Sequence, residues 1–252
     1  MNKKICVIPA RMASSRFPGK PMVPILGLPL ILHVWNRCRL EKKFNKVFVA
    51  TCDKEIFESV TAAGGEAIMT SSSHERCTDR VAEAINNSGL KLSDGDCTIM
   101  VQGDEALVNP IMLSDLISSF EKSAARVINL ISRIERIKDF EDINVVKVAT
   151  NLNNKIIYLS RSPIPNPTRG DNVPMYQQTG IIAYTPSFLE EFSALEQTPL
   201  EILESIDMLR LIENDIHLDC VRTEIETIGV DTPLDLERAE KALSNDTWTT
   251  QY

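Results

Sequence analysis

The segment ICVIPARMASSRFPGKPMVPILGLPLILHVWNRCRLEKKFNKVFVAT, residues 5–51, decides the fold. It opens on the apolar run 5–9, which reads as a buried strand. Residues 10–21 are rich in Ser, Pro and Gly and read as a loop. Residues 30–40 are apolar at helical spacing, and residues 46–51, KVFVAT, form a second strand. A strand, a crossover helix and a strand in that order are the unit from which parallel sheets are built.

The alternation continues downstream. Residues 54–63 read as a helix ended by Gly64-Gly65, and residues 66–69 as a strand. Residues 78–87 are helical, with Val81, Ala82 and Ile85 on one face. Residues 98–101 form a strand that runs into Gln102-Gly103-Asp104-Glu105, and Pro110 opens a helix over 110–122. The expected fold is α/β, a three-layer Rossmann-like fold with a mostly parallel sheet covered on both faces. Ligands of such sheets bind beyond the carboxyl ends of the strands, where the loops 10–20, 70–80 and 102–105 should meet.

The middle of the chain differs. Residues 126–133, 145–150, 155–160 and 179–184 read as strands, with Asn153-Asn154 as a hairpin turn. These suggest a small β-rich lobe, about 126–190, inserted into a single domain spanning 1–252. Residues 162–174 form a Pro-rich excursion, 198–213 an amphipathic helix, 227–230 the last strand and 233–243 a closing helix. The polar tail 245–252 is expected to fray.

Composition excludes several classes. With 252 residues, 43% hydrophobic and 25% charged, the chain can bury a core without staples. A net charge of −8 argues against sequence-independent nucleic-acid binding. The six cysteines show no C-x-x-C pair or zinc spacing and read as reduced thiols. No run has the length of a membrane span, and the N-terminal apolar stretch is too short for a signal peptide, so the expected location is the cytoplasm.

Three segments carry chemistry. The loop Ala10 to Pro21 places Arg11, Arg16 and Lys20 within ten residues, together with Ser14 and Ser15. It can offer cations, hydroxyls and backbone N–H groups to a triphosphate, or be a solvated basic loop. It is no Walker A loop. Asp104 ends a buried strand, where a hard divalent cation is a natural partner and a helix cap the alternative. Asp231, in Gly229-Val230-Asp231-Thr232-Pro233, is either the cap of the last helix or a second carboxylate on the same metal.

The segments IPARMASSRFPGKPM, VQGDE, YLSRSPIP, PLEILESIDMLRLIEN and IGVDTPLDLERAE occur in that order. In this the chain resembles the 3-deoxy-manno-octulosonate cytidylyltransferases, the CMP-Kdo synthetases, from about residue 4 to 243. The resemblance implies an enzyme joining CTP to a small acidic sugar, Kdo, with release of pyrophosphate, in lipopolysaccharide or capsule biosynthesis. It implies Arg11, Lys20, Asp104 and Asp231 as catalytic residues, with Mg2+ on Asp104 and Asp231. Nucleotide contacts would come from Ala10, Arg11, Ser15, Arg16, Lys20, Thr78, Arg80 and Gln102. Acceptor contacts would come from Gln102, Arg161, Gln178, Tyr184 and Asp207. A homodimer is implied, with the stretch 176–184 as candidate interface. No membrane or nucleic acid partner is implied, and no catalytic histidine.

Several positions depart from the family pattern. H-x-S-G-T-E-R is here His74-Glu75-Arg76-Cys77-Thr78-Asp79-Arg80, and the Pro after Q-G-D-E is Ala106. R-H-x-G-I-Y-x-Y-R aligns with residues 177–185, where Gln177 and Gln178 stand for the Arg and His and Ile182 for a Tyr. In L-E-Q-L-R the Gln is Met208. Such changes point to a divergent branch or another acceptor: an amino-Kdo, another ulosonic acid or a phosphonate. Two further readings use other chemistry, an inactive nucleotide-binding paralogue and a sugar-nucleotide glycosyltransferase with a D-x-D-like metal motif.

Overall fold

The computed structural model describes residues 2–14, 16–167 and 173–252. The first strand, β1 (Lys4–Ala10), leads through the site loop to a 3-10 turn (Lys20–Met22) and a small hairpin, β2 (Pro24–Ile25) and β3 (Leu28–Pro29). There follow α1 (Leu30–Leu40), β4 (Lys46–Thr51), α2 (Lys54–Ala62), β5 (Glu66–Met69), α3 (Cys77–Asn87), β6 (Cys97–Val101) and α4 (Pro110–Lys122). The middle section comprises β7 (Val127–Arg133), α5 (Ile137–Glu141), β8 (Lys147–Thr150), β9 (Lys155–Ser160) and β10 (Tyr176–Tyr184). The chain closes with α6 (Pro186–Ala194), α7 (Pro199–Glu204), α8 (Leu209–Glu213), β11 (Leu218–Thr223) and α9 (Pro233–Ser244).

Nine strands form one sheet in the order β5-β4-β1-β6-β10-β7-β11-β9-β8. Alternate residues of β1 serve its two faces. Cys6, Ile8 and Ala10 pack with Val34 of α1, Leu116 of α4 and Ala239 of α9. Ile5 and Val7 pack with Val81 of α3, Phe188 of α6 and Leu209 of α8. Both faces are therefore covered, and the three layers are as expected.

The sheet is mixed rather than mostly parallel. β5, β4, β1 and β6 run parallel, and so do β7 and β11. β10 lies between β6 and β7, antiparallel to both. It enters at the end where β6 exits, with Ile181 opposite Val101 and Tyr184 opposite Thr98, so it must run the other way. The strands assigned to a separate lobe are thus part of the main sheet. The stretch expected at a dimer interface is an interior strand whose Tyr184 is fully buried.

Other expectations change locally. The helix expected over 198–213 is broken at Ser205, which takes left-handed φ 54 and ψ 48 between α7 and α8. The strand expected at 227–230 is a single bridge, Gly229 to Glu105. The excursion 162–174 lies partly outside the described residues. Asn154 takes positive φ, 58, in the turn between β8 and β9, as its hairpin reading requires.

The tail is docked, not frayed. The guanidinium of fully buried Arg37 donates to the Asp246 carboxylate and, through Nε, to Val108 O at 2.6 Å. Tyr252 Oη lies 2.9 Å from His33 Nδ1. A buried guanidinium without its carboxylate would keep its full desolvation cost, and that cost holds the tail in place. No helix among the described residues is long and apolar enough to cross a membrane. Asp246→Ala should lower stability by roughly 2 kcal/mol, because one face of this pair remains open to water; urea unfolding measures it.

Candidate active site

The site is built where β1 and β6 end. Met12 N donates to Asp53 Oδ2 at 2.8 Å and Gly19 N to Met12 O at 2.9 Å, which folds the loop after β1 back on itself. Gly19, at φ 76, turns the chain into the 3-10 helix and delivers Lys20 inward, where it is only 9% exposed. After β6 the backbone turns against β1: Gly103 N donates to Pro9 O at 3.2 Å. A Cβ on Gly103 would lie 3.0 Å from that carbonyl, so only glycine allows the approach.

The two aspartates are brought together by backbone. Glu105 bridges Gly229, and Val230 N donates to Asp104 O at 3.0 Å. Lys20 Nζ lies 2.7 Å from Asp104 Oδ2 and 3.2 Å from Asp231 Oδ1. Burial works against the Lys20 charge, but the two carboxylates outweigh it and hold the ammonium above the usual lysine range. Arg16 adds a second cation, donating to Asp231 Oδ1 at 2.9 Å and to Asn144 Oδ1 at 2.6 Å.

The helix-cap readings of both aspartates fail. Asn109 caps α4, accepting from Ile111 N at 2.8 Å. Thr232 caps α9 in a reciprocal box with Asp235. Asp104 and Asp231 are therefore left to face Lys20.

Two cavities meet at this cluster. One of about 540 Å³ is lined by Ala10, Arg11, Lys20, His74, Arg76 and Arg80. The other, about 310 Å³, is lined by Gln178, Asp207, Asp142 and Glu105. Arg16, Gln102, Asp104, Arg161 and Asp231 line both, so the carboxylates sit at the seam. In the first cavity, Arg11 and Arg80 each donate to His74 O at 3.3 Å. Arg80 also donates to Thr70 Oγ1 at 2.5 Å.

Not every expected residue reaches a cavity. Thr78 is fully buried and donates to Asp207 Oδ2 at 2.7 Å. Tyr184 is buried beneath it, its hydroxyl 3.4 Å from Thr78 Oγ1, and lines neither cavity. Burial pushes the Asp207 carboxyl up, against the Thr78 hydrogen bond. Ser15 lies outside the described residues. Arg161 reaches the seam with its guanidinium tied to Glu204 O at 2.6 Å and Ile143 O at 3.0 Å. Gln178 Nε2 donates to Asn129 Oδ1 at 2.8 Å.

Of the departures from the family pattern, Ile182, Met208 and Ala106 are buried in the core. Gln177 and Gln178 reach the smaller cavity, and Arg76 and Cys77 reach the larger one. The D-x-D tripeptide of this chain, Asp94-Gly95-Asp96, precedes β6 at the strand end away from Asp104. There Asp96 accepts from Lys3 N and Ser93 N.

Several site residues were not singled out from the sequence. Asn144 and Asp142 sit in a short connection before β8 with no local motif. Glu105 belongs to the quoted VQGDE but received no role. Its carboxyl is pushed up to about 7, first by burial and then by Asp104, and Gly180 N donates to its Oε1 at 2.5 Å. Gly180 O in turn accepts from Gln102 N at 2.9 Å, at a bulge in β10.

A cytidylyltransferase family model matches residues 5–224. The chain belongs to the cytidylyltransferase family. It is 41% identical over 249 residues to the 3-deoxy-manno-octulosonate cytidylyltransferase of Thermodesulfovibrio yellowstonii, covering 95% of this chain and 98% of that one. It is 38% identical over 242 residues to the 8-amino-3,8-dideoxy-manno-octulosonate cytidylyltransferase of Shewanella baltica, at 95% and 98% coverage. A solved CMP:2-keto-3-deoxy-manno-octonic acid synthetase in complex with CTP superposes with TM-score 0.87 at 35% identity, covering 96% of this chain and 99% of that one. A putative glucose-1-phosphate thymidylyltransferase from Bacillus anthracis shares the fold, with TM-score 0.70 at 16% identity. The chain is thus a nucleotidyltransferase with an α/β fold.

Two expectations follow from the geometry. A Cβ at Gly180 would lie 2.7 Å from Gln102 Cβ, so Gly180→Ala must shift the shared wall of the two cavities. It should lower kcat/KM by roughly tenfold or more with the fold retained, as steady-state kinetics will show. Burial pushes the Cys77 thiol up to about 12. At pH 8 its thiolate fraction is about 10⁻⁴, so iodoacetamide should label it far more slowly than a free cysteine, by peptide mass spectrometry.

Proposed function

We propose that the chain forms a CMP-sugar from CTP and 3-deoxy-manno-octulosonate, with release of pyrophosphate. The observation that carries this is the convergence of Lys20, Arg16, Asp104 and Asp231 on the seam between two cavities. The larger, cation-lined cavity suits CTP and the smaller, polar one suits the acid. Reaction at the seam joins what each cavity holds.

The acceptor's anomeric hydroxyl oxygen bonds to the α-phosphorus, and the bond from that phosphorus to the β-phosphate's bridging oxygen breaks. Pyrophosphate leaves with the electron pair, and the hydroxyl proton passes to solvent. Positioning and charge neutralisation carry such a step. Arg11, Arg16 and Lys20 supply positive charge to the phosphates, Arg80 fixes the wall of the nucleotide cavity, and Gln102 reaches both substrates. Asp207, Gln178 and Arg161 shape the acceptor side.

Asp104 and Asp231 fit a hard divalent ion: two carboxylates converge on one cation, and Mg2+ typically takes one or two carboxylates with substrate phosphates completing its shell. Bound there, Mg2+ would supply Lewis-acid polarisation and lower the acceptor hydroxyl's pKa. The cytoplasm, where nucleoside triphosphates are supplied, is the proposed location, and a homodimer is the proposed assembly, which sedimentation at micromolar concentration tests.

The 8-amino acceptor is the second reading, because a relative so named is nearly as similar as one named for the parent sugar. Pyrophosphate release with CTP, magnesium and each acid separates them. Turnover with 3-deoxy-manno-octulosonate is expected; turnover with another acid alone overturns that acceptor. Asp104→Asn should lower kcat by roughly a hundredfold or more while CTP binding, followed by calorimetry, survives.

A further inference from the structure

The break between α7 and α8 touches both cavities. Ser205, at its centre, lines the two of them, and Asp207 lines the smaller. Both residues are tied to the start of α3, which walls the larger cavity. Arg76 Nη1 donates to Ser205 Oγ at 2.9 Å, and Thr78 Oγ1 donates to Asp207 Oδ2 at 2.7 Å. The two pairs have the same offset in sequence, so two short segments are joined at two successive rungs. Arg76 Nε also lies 3.3 Å from Glu201 Oε1 in α7, although no hydrogen bond forms there.

Glu201 does not depend on Arg76. It is fully buried and receives two 2.7 Å hydrogen bonds from Arg210. Removing Arg76 therefore leaves no orphaned buried carboxylate. The family pattern has a small Ser where this chain has Arg76, so the 76–205 rung belongs to this sequence rather than to the pattern.

We propose that Arg76 is a positioning residue that couples the nucleotide cavity to the acceptor cavity. A nucleotide on segment 74–80 orders that segment, and the two rungs carry the order to Ser205 and Asp207. This rests on the proposed CTP-dependent reading. The coupling requires no large motion, only that ordering one wall lowers the cost of ordering the other.

Hydrogen exchange on the full chain with CTP and magnesium, without acceptor, tests it. In the native protein CTP should protect amides of both 10–21 and 199–211. In Arg76→Ala and Ser205→Ala, which leave only the Thr78–Asp207 rung, protection of 10–21 should persist and protection of 199–211 should fall, with Arg76→Lys restoring part of it. Arg76→Ala should also raise the acceptor KM by roughly fivefold or more, with the CTP KM changing less than about twofold. Variants that keep full protection of 199–211, or a native protein protected only at 10–21, overturn the coupling. Absence of protection at 10–21 in the native protein instead overturns the nucleotide reading, and the coupling with it.

Discussion

Asp104 and Asp231 hold like charges side by side at the end of a sheet, and one ammonium makes that tolerable. Two carboxylates a few ångströms apart repel by about 4 kcal/mol at the effective dielectric of a protein surface. Lys20 touches both and is nearly buried, so it offsets the repulsion directly. Much of the surrounding backbone serves this contact. Gly103 lets β6 turn against Pro9, the Glu105–Gly229 bridge aligns the two acidic segments, and Gly19 turns Lys20 inward. Capping duties fall to Asn109 and Thr232, which keeps both aspartates uncommitted.

The parallel half of the sheet was legible because its signals are local. Apolar runs such as 5–9 and 46–51, separated by one amphipathic stretch, read as a crossover unit without tertiary information. The antiparallel half was not, because strand direction depends on where the chain re-enters the sheet. Nothing within 176–184 says that β10 inserts between β6 and β7. The broken helix at Ser205 was hidden for a related reason. The apolar spacing over 198–213 is continuous, and the left-handed residue is a serine rather than a glycine.

At the site, residues carried by ordered motifs came together: Arg16, Lys20, Gln102, Asp104 and Asp231. Those assigned through the sugar-pocket pattern divide: Arg161, Gln178 and Asp207 reach a cavity, and Tyr184 does not. Tyr184 and Met208 face the core, where one supports Thr78 and the other fills space, so pattern position alone did not reveal exposure. Asn144 and Asp142 escaped notice because a short polar connection carries no periodicity. Their importance arises from long-range placement beside Arg16. The changes among buried residues are core exchanges, while Gln177, Gln178, Arg76 and Cys77 are differences that face the cavities.

The cation that joins the two aspartates also joins the beginning of the fold to its end. Lys20 and Asp231 are 211 residues apart, and Asp104 comes from between them. Joining segments this distant carries the entropy cost of closing a loop across most of the chain. A partly folded chain therefore holds the basic loop and the acidic turns separately, without the arrangement that discriminates a nucleotide. Ligand occupancy then adds its binding energy to the completed fold as a whole rather than to any one segment of it.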